Sequence, residues 1–242
     1  MILKQEQHFV SRNKLHRLQF LFFDQKLNLL KKLKNVLEKI PYCRDPITER
    51  ERGDRAWETG MTDVIQPVVS ASQHEKIVGF LNEAKAAGIE IYTGGEVPDP
   101  ADLENSGGYF IQPTILTNVP SDSDAWQKEI FGPVLSVRTF SSEAEAIKEA
   151  NSTAFGLAST VMSSDPAKAM RVANRIRAGA VFATSTGEGL LAEHPAVSRG
   201  GFGCSGVGRE LGIDGLHEYT ELKSVNYSGF SIAEAKENSN QG

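Results

Sequence analysis

Capped helices alternate with short apolar strands through the central part of this 242-residue chain. Ser70 and Ser142 each precede a helix-forming run, and each is followed three residues later by a glutamine or a glutamate, which is the capping-box pattern. Asp165-Pro166 opens a third helix, because proline is tolerated best in the first helical turn. Strands separated by helices indicate βαβ units, so the sequence predicts an α/β fold with a mostly parallel sheet and flanking helices.

The strands of this sheet are predicted from apolar alternation or from short apolar runs. Such patterns lie at residues 89–92, 134–140, 157–162 and 180–184. Pro113 interrupts an apolar stretch at residues 109–116, and a proline cannot donate a hydrogen bond to a neighbouring strand. That stretch is therefore predicted to be an edge strand or a broken one.

The first forty residues give a different pattern. Residues 18–40 carry an apolar residue every three or four positions, with five lysines among the others, which predicts an amphipathic helix ended by Pro41. The helix fits a packed layer of a globular domain, and a coiled-coil seam is the alternative. Residues 1–17 are polar, basic and aperiodic, and we expect them to form a poorly ordered start.

Composition excludes several classes of function. A net charge of −5 lacks the basic surface that nucleic-acid binding requires, and no apolar stretch approaches the ~20 residues of a membrane span. Cys43 and Cys204 are the only cysteines, too few for a disulfide framework or a cysteine-rich zinc site, which favours a cytoplasmic setting. The histidines at 74, 194 and 217 have no partners at metal-binding spacing, so no metal is expected.

Several short motifs then follow one another in a fixed order. They are GYFIQPT at 108–114, KEIFGPV at 128–134, FGL at 155–157, AGAV at 178–181 and SGVGRELG at 205–212. Each has a simple alternative, since Gly132-Pro133 forms a turn in many proteins and a glycine-rich stretch can be a flexible loop. Taken in order, they resemble the C-terminal half of the aldehyde dehydrogenases, over roughly residues 64–227.

The resemblance implies a reaction and a cofactor. In the family a cysteine thiolate attacks an aldehyde, hydride passes to NAD or NADP, and water releases a carboxylic acid. Glu129 matches the glutamate that accepts hydrogen bonds from the nicotinamide ribose, and Phe131 matches the aromatic residue beside the nicotinamide. Gln73 and Lys76 match polar contacts to the same ribose, with an exposed helix surface as the alternative. These four are the expected cofactor-binding residues.

The resemblance also implies that parts of the family's site are missing. No cysteine precedes Cys43, although the nucleophile segment is expected before the first helix, with Gln7 near its position. The cofactor domain, the general-base glutamate and the oxyanion asparagine are expected further upstream. No catalytic residue is therefore assigned. Arg199 stands where the family usually has an aromatic residue, so the substrate is not carried over.

These residues predict the C-terminal portion of an NAD(P)-dependent aldehyde dehydrogenase, inactive as an isolated chain and completed by an N-terminal half. Its divisions are a catalytic-domain part at 18–219, an oligomerisation strand at 220–229 and a flexible tail at 230–242. The alternative is a non-catalytic chain that adds this late strand to a full-length dehydrogenase. In either case we expect a homo- or hetero-oligomer. A third possibility is an independent α/β enzyme that uses Cys204 or a histidine in a different reaction.

Overall fold

The computed structural model describes residues 2–6, 18–22, 26–42, 64–99, 103, 108–185 and 195–228. The elements within these ranges confirm an α/β chain. In order they are β1 (Ile2–Glu6), β2 (Leu18–Phe22), α1 (Lys26–Leu37), α2 (Ala71–Ala86), β3 (Glu90–Thr93), β4 (Thr114–Thr117), α3 (Asp124–Gln127), β5 (Val134–Thr139), α4 (Glu143–Ala150), β6 (Ala158–Met162), α5 (Pro166–Ala173), β7 (Ala180–Thr184), a 3-10 turn (Gly203–Ser205) and α6 (Gly212–His217).

The seven strands form one mixed sheet in the order β3-β4-β5-β2-β1-β6-β7. The pairs β4–β5, β5–β2 and β6–β7 are parallel. The pairs β3–β4, β2–β1 and β1–β6 are antiparallel. The prediction of a mostly parallel sheet is therefore wrong for the described strands, because β1 runs against both of its neighbours and β3 turns back on β4.

The N-terminal region differs most from the sequence prediction. Leu18–Phe22 is a strand, and helix α1 begins only at Lys26. Leucine and phenylalanine at positions 18, 20 and 22 also satisfy the two-residue period of a strand, and pairing with β5 and β1 selects that period. Ile2–Glu6 is likewise a strand rather than a poorly ordered start, while residues 7–17 lie outside the described ranges.

Pro113 does not place its strand at an edge. Strand β4 begins at Thr114, one residue after the proline, so the missing amide hydrogen falls outside the ladder. The strand is paired on both sides, with β3 and with β5, and all four of its residues are buried. The edge strand on this side of the sheet is β3.

Helices cover both faces of the sheet. On one face, Leu30 of α1 packs with Ile115, Leu135 and Val137. On the other face, α2 to α5 enclose a larger apolar cluster of buried side chains. Its members include Ile77, Leu81, Leu116, Trp126, Val134, Ile147, Val161 and Val172. Successive residues of β4 enter different clusters, as the alternation of side chains along a strand requires.

The predicted helix starts at Ser142 and Asp165 are confirmed. The Ser142 hydroxyl accepts a hydrogen bond from the backbone amide of Glu145 at 3.2 Å, and the Asp165 carboxylate accepts one from Lys168 at 3.1 Å. A bidentate ion pair joins α4 and α5, since the Arg171 guanidinium donates to both carboxylate oxygens of Glu143 at 3.0 and 2.7 Å. Helices α4 and α5 are thereby tied along their exposed sides.

The end of the described chain contributes nothing to the sheet. Residues 220–228 form neither a helix nor a strand in this single chain, and all of them are exposed. The oligomerisation strand expected at 220–229 is therefore not present in the isolated subunit, and its last residue and the tail at 230–242 lie outside the described residues. No helix in the described ranges is long and apolar enough to cross a bilayer.

Candidate functional site

Helix α2 and the turn at residues 129–133 together form the candidate site. The turn enters β5, and it lies against the first half of α2. Gly132 permits this contact, because a Cβ atom at that position would overlap the Cδ1 atom of Ile77, which is fully buried. Ile130 is also buried, at 4% exposure. The turn is thus packed onto the helix from the core side.

Gln73 joins the same two elements by hydrogen bonds. Its side-chain amide nitrogen donates to the backbone carbonyl of Ile130 at 3.1 Å and to that of Phe131 at 2.9 Å. The Ser70 hydroxyl accepts from the Gln73 backbone amide at 3.2 Å, so the serine caps α2 as predicted. The prediction that the Gln73 side chain bonds back to the start of the helix is wrong, because this side chain bonds to the turn at residues 129–133.

Glu129 and Phe131 stand on either side of Ile130 in this turn. Both side chains are partly buried, and the Oε1 atom of Glu129 is itself buried. Phe131 has a backbone φ of 62°, in the left-handed region that residues other than glycine rarely adopt. Lys128, just before the turn, bonds to Asp124 at 2.6 Å, and this hydrogen bond raises the pKa of the lysine above 10.5.

Lys76 lies one helical turn beyond Gln73 but in a different environment. Its side chain is exposed, and its ammonium group sits 6.0 Å from the centre of the Phe80 ring. Of the four expected cofactor contacts, the structure brings Gln73 into the turn that carries Glu129 and Phe131. It leaves Lys76 on the open surface of α2.

The glycine-rich segment after residue 199 is an ordered structure and not a flexible loop. Gly156 accepts a hydrogen bond from the Phe202 amide at 2.9 Å, and its own amide donates to the Ser205 hydroxyl at 3.0 Å. Arg199 and Glu210 exchange two backbone hydrogen bonds at 2.7 and 2.8 Å. The bonds of Gly156 join the segment to the FGL motif at 155–157, and the Arg199–Glu210 bonds join its two ends.

The cysteine and histidine positions do not form a second reactive centre in the described residues. Cys204 is exposed in the short 3-10 turn, and its backbone amide donates to the Ala154 carbonyl at 2.9 Å. The ring of His74 lies 3.1 Å from the Phe110 carbonyl. The described ranges contain no group of three or more possible metal ligands. Cys43 and His194 lie outside those ranges.

Comparison with known families decides the affiliation. The model of the aldehyde dehydrogenase family matches residues 50–225, which include α2, the 129–133 turn and the glycine-rich segment. The chain belongs to the aldehyde dehydrogenase family. This confirms the resemblance that the ordered motifs indicated.

Individual members of the aldehyde dehydrogenase family are similar over the same region. A betaine aldehyde dehydrogenase of Bacillus subtilis is 43% identical over 162 residues, which is 66% of this chain and 31% of that enzyme. An aldehyde dehydrogenase of Emericella nidulans is 43% identical over 161 residues, or 66% of this chain and 30% of its own length. This chain thus spans a little under a third of these relatives.

Solved aldehyde dehydrogenase structures have the same fold. A betaine aldehyde dehydrogenase of Staphylococcus aureus in complex with NAD+ superposes with a TM-score of 0.69 at 34% identity, covering 83% of this chain and 37% of that one. An NAD+ complex of an aldehyde dehydrogenase from Bacillus cereus gives a TM-score of 0.58 at 37% identity, with 66% and 30% coverage. The sequence and the structure therefore point to the same family.

Proposed function

We propose that this chain is the C-terminal portion of an NAD(P)-dependent aldehyde dehydrogenase that oxidises an aldehyde to a carboxylic acid. The observation that carries the proposal is the turn at residues 129–133, which is packed and hydrogen-bonded onto α2 within the segment that matches the family. This turn carries a carboxylate, Glu129, and an aromatic ring, Phe131, two residues apart. Solved relatives with the same fold are complexes with NAD+.

The residues of the turn suit the nicotinamide end of such a cofactor. Glu129 provides carboxylate oxygens that accept hydrogen bonds from ribose hydroxyls, and an ionised acceptor strengthens those bonds. Phe131 provides a flat apolar surface, which is partly buried and held at a fixed backbone angle. Gln73 and Lys76 complete the proposed set, the first at the turn and the second at the rim. The cofactor, when bound, supplies the hydride acceptor.

We assign no nucleophile to this chain. Cys204 lies at the exposed surface of the glycine-rich segment, remote in sequence from the family's nucleophile position, and Cys43 lies outside the described residues. Turnover therefore requires an N-terminal portion that brings the thiolate and the general base. With so few cysteines, the reducing cytoplasm is the proposed location.

The test is an activity measurement on the purified chain, alone and after addition of the N-terminal half of a related dehydrogenase. Formation of reduced nicotinamide is followed with short, long and aromatic aldehydes, using NAD+ and NADP+ separately. We expect no activity from the chain alone and activity on mixing. Activity of the isolated chain would contradict the missing nucleophile, and no activity under any condition would contradict the enzymatic proposal.

A Glu129→Gln variant tests the proposed cofactor site in the same experiment. The amide keeps the size of the side chain but removes its negative charge, so the hydrogen bonds to the ribose weaken. We expect a higher KM for the cofactor in the reconstituted enzyme. An unchanged KM would remove Glu129 from the proposed site while leaving the family assignment intact.

A second function is favoured by the end of the chain. Residues 220–228 are exposed and belong to no strand, and Leu222 and Val225 project their side chains into solvent. We propose as the alternative that this segment adds a strand to a related full-length dehydrogenase, without catalysis by this chain. Co-purification of the chain with such an enzyme, lost on deletion of residues 220–228, supports this alternative.

A further inference from the structure

Phe131 occupies a backbone conformation that its own residue type disfavours. Its φ of 62° brings Cβ close to the following carbonyl, a clash that glycine avoids. Only Asn118 and Leu211 share a positive φ among the other non-glycine residues that the structure describes. Asparagine tolerates this region, whereas a bulky phenylalanine does not. Such a conformation persists only where the surrounding structure holds it in place.

The hydrogen bonds of Gln73 lie at this strained point. Its amide nitrogen donates to the carbonyl of Phe131 at 2.9 Å and to the carbonyl of Ile130 at 3.1 Å, so the two bonds hold the peptide groups on both sides of the Phe131 Cα atom. The assignment of nitrogen and oxygen in this side chain is fixed, because a side-chain carbonyl could not bond to two backbone carbonyls. Both amide hydrogens of Gln73 are thereby used.

Packing against α2 also holds the turn. Gly132 lies so close to Ile77 that the turn cannot move further toward α2. Ile130, in the same turn, is buried in the apolar cluster. Gln73 and Ile77 lie one helical turn apart on α2. One face of α2 therefore holds the turn twice: Gln73 bonds to the carbonyls of Ile130 and Phe131, and Ile77 packs against Gly132.

We propose that Gln73 is a positioning residue, which holds Phe131 in the left-handed conformation and thereby fixes the ring that the proposed function places beside the nicotinamide. The inference rests on the proposed function for the role of the ring, but not for the role of the hydrogen bonds. Both carbonyls use the donors of the side chain, so a direct ribose contact by Gln73 would have to be made by its side-chain oxygen as an acceptor.

The first experiment reads the backbone of Phe131 directly in the full chain. Ile130-Phe131 is the only Ile-Phe dipeptide in the sequence, so carbonyl-labelled isoleucine together with labelled phenylalanine marks this peptide alone in an NMR spectrum. The one-bond Cα–Hα coupling of Phe131 then reports the sign of φ. We expect a positive φ in the wild type and its loss in Gln73→Glu, whose ionised carboxylate cannot donate and repels both carbonyls.

Two further variants make the result specific. Gln73→Met removes both hydrogen bonds without adding charge, so it tests the idea even where Gln73→Glu fails to fold. Lys76→Met changes the exposed neighbour one turn along α2 and should leave the Phe131 coupling as in the wild type. A positive φ retained in a folded Gln73→Met chain overturns the proposal.

The second experiment separates positioning from direct contact in the reconstituted enzyme. A carboxylate accepts hydrogen bonds from ribose hydroxyls at least as well as an amide does, so a direct contact predicts wild-type kinetics for Gln73→Glu. Positioning predicts that kcat falls on the order of tenfold to a hundredfold in both Gln73 variants, with KM for NAD+ changing less than about threefold. Wild-type kinetics in Gln73→Glu overturn the positioning role.

The two experiments also separate this inference from the proposed function. If the wild-type chain remains inactive on reconstitution, the proposed function fails, and the Phe131 coupling alone still decides whether Gln73 holds the turn. If the wild type is active and the coupling is unaffected by either Gln73 substitution, the inference fails while the proposed function stands.

Discussion

The turn at 129–133 and the segment at 206–228 differ in the solvent exposure of their apolar side chains. In the turn, Ile130 is 4% exposed and packs on α2, which contributes the fully buried Ile77. In the C-terminal segment, Val207 is 99% exposed and Leu222 fully exposed. The first region is completed by contacts within the chain. The second presents apolar surface that none of the described residues covers, as surfaces that bind a partner often do.

The largest effect is expected where the turn meets the helix core. Ile77→Ala removes buried side-chain volume beneath Gly132 and should lower the free energy of unfolding by about 2–5 kcal/mol in urea titrations. Leu222→Ala is the matched control in the exposed segment, and we expect a change of no more than about 0.5 kcal/mol. Equal costs at the two positions would break the comparison between the regions.

The close approach of Gly132 can be tested by adding volume. Gly132→Ala places a methyl group against the end of the Ile77 side chain and should cost about 1–3 kcal/mol of unfolding free energy. Combining it with Ile77→Val removes the opposing Cδ1 atom, so the double variant should be more stable than the sum of the single changes predicts. Strict additivity would show that the contact is not the source of the cost.

The exposed segment should affect association more than folding. We expect the wild-type chain to sediment as an oligomer and the Leu222→Asp, Val225→Asp double variant to sediment as a smaller species, since charges oppose burial of this surface. Val97→Asp is the control, because Val97 is an exposed apolar residue outside the segment, at 47% exposure. A monodisperse wild-type monomer would contradict a role of this segment in association between chains.

The smallest effect concerns the exposed pair of Glu143 and Arg171. The hydrogen bonds from Arg171 hold the pKa of Glu143 below its usual 4.5, with Lys168 and Arg175 acting in the same direction. A carboxylate whose pKa is lowered on folding stabilises the protein above its unfolded pKa, and that contribution is lost as the pH falls through the folded pKa. The stabilisation is therefore present at neutral pH and disappears in acid.

An Arg171→Met variant measures this contribution. Its melting temperature should lie slightly below that of the wild type at neutral pH, and the difference should shrink once the pH falls below the ordinary pKa of Glu143. Lys148→Met, which changes another exposed cation on α4, provides the comparison for a general change in charge. A difference that persists unchanged in acid would rule out this ion pair as its origin.

Features set by local chemistry were predictable from the sequence. Ser70 and Ser142 accept the predicted cap hydrogen bonds, Asp165 lies at the predicted helix start, and β7 has the predicted bounds, Ala180–Thr184. In each case the information lies within a few residues, in a side chain that bonds to its own helix start or in an apolar run between turns. The ordered family motifs also singled out Glu129 and Phe131, whose role in cofactor binding stays a prediction.

Features set by distant contacts were not predictable in the same way. Leu18–Phe22 fits either a helical or a strand period, and its pairing with β5, far along the chain, makes it a strand. Gln73 fits a capping box, but two carbonyls more than fifty residues away compete successfully for its amide. Neither choice is contained in the local sequence, because both depend on which surfaces the folded chain brings together.

The central position of β1 affects the order in which the chain can assemble. Ile2 pairs with Phe22 on one side and with Met162 on the other, so the first strand joins two blocks of the sheet. A ribosome delivers β1 long before β6, and until β6 emerges one side of β1 has no partner. Contacts of such long sequence separation slow folding and expose strand edges to aggregation. Loss of residues 2–6 would leave β2 and β6 as two open edges, and the sheet would divide there.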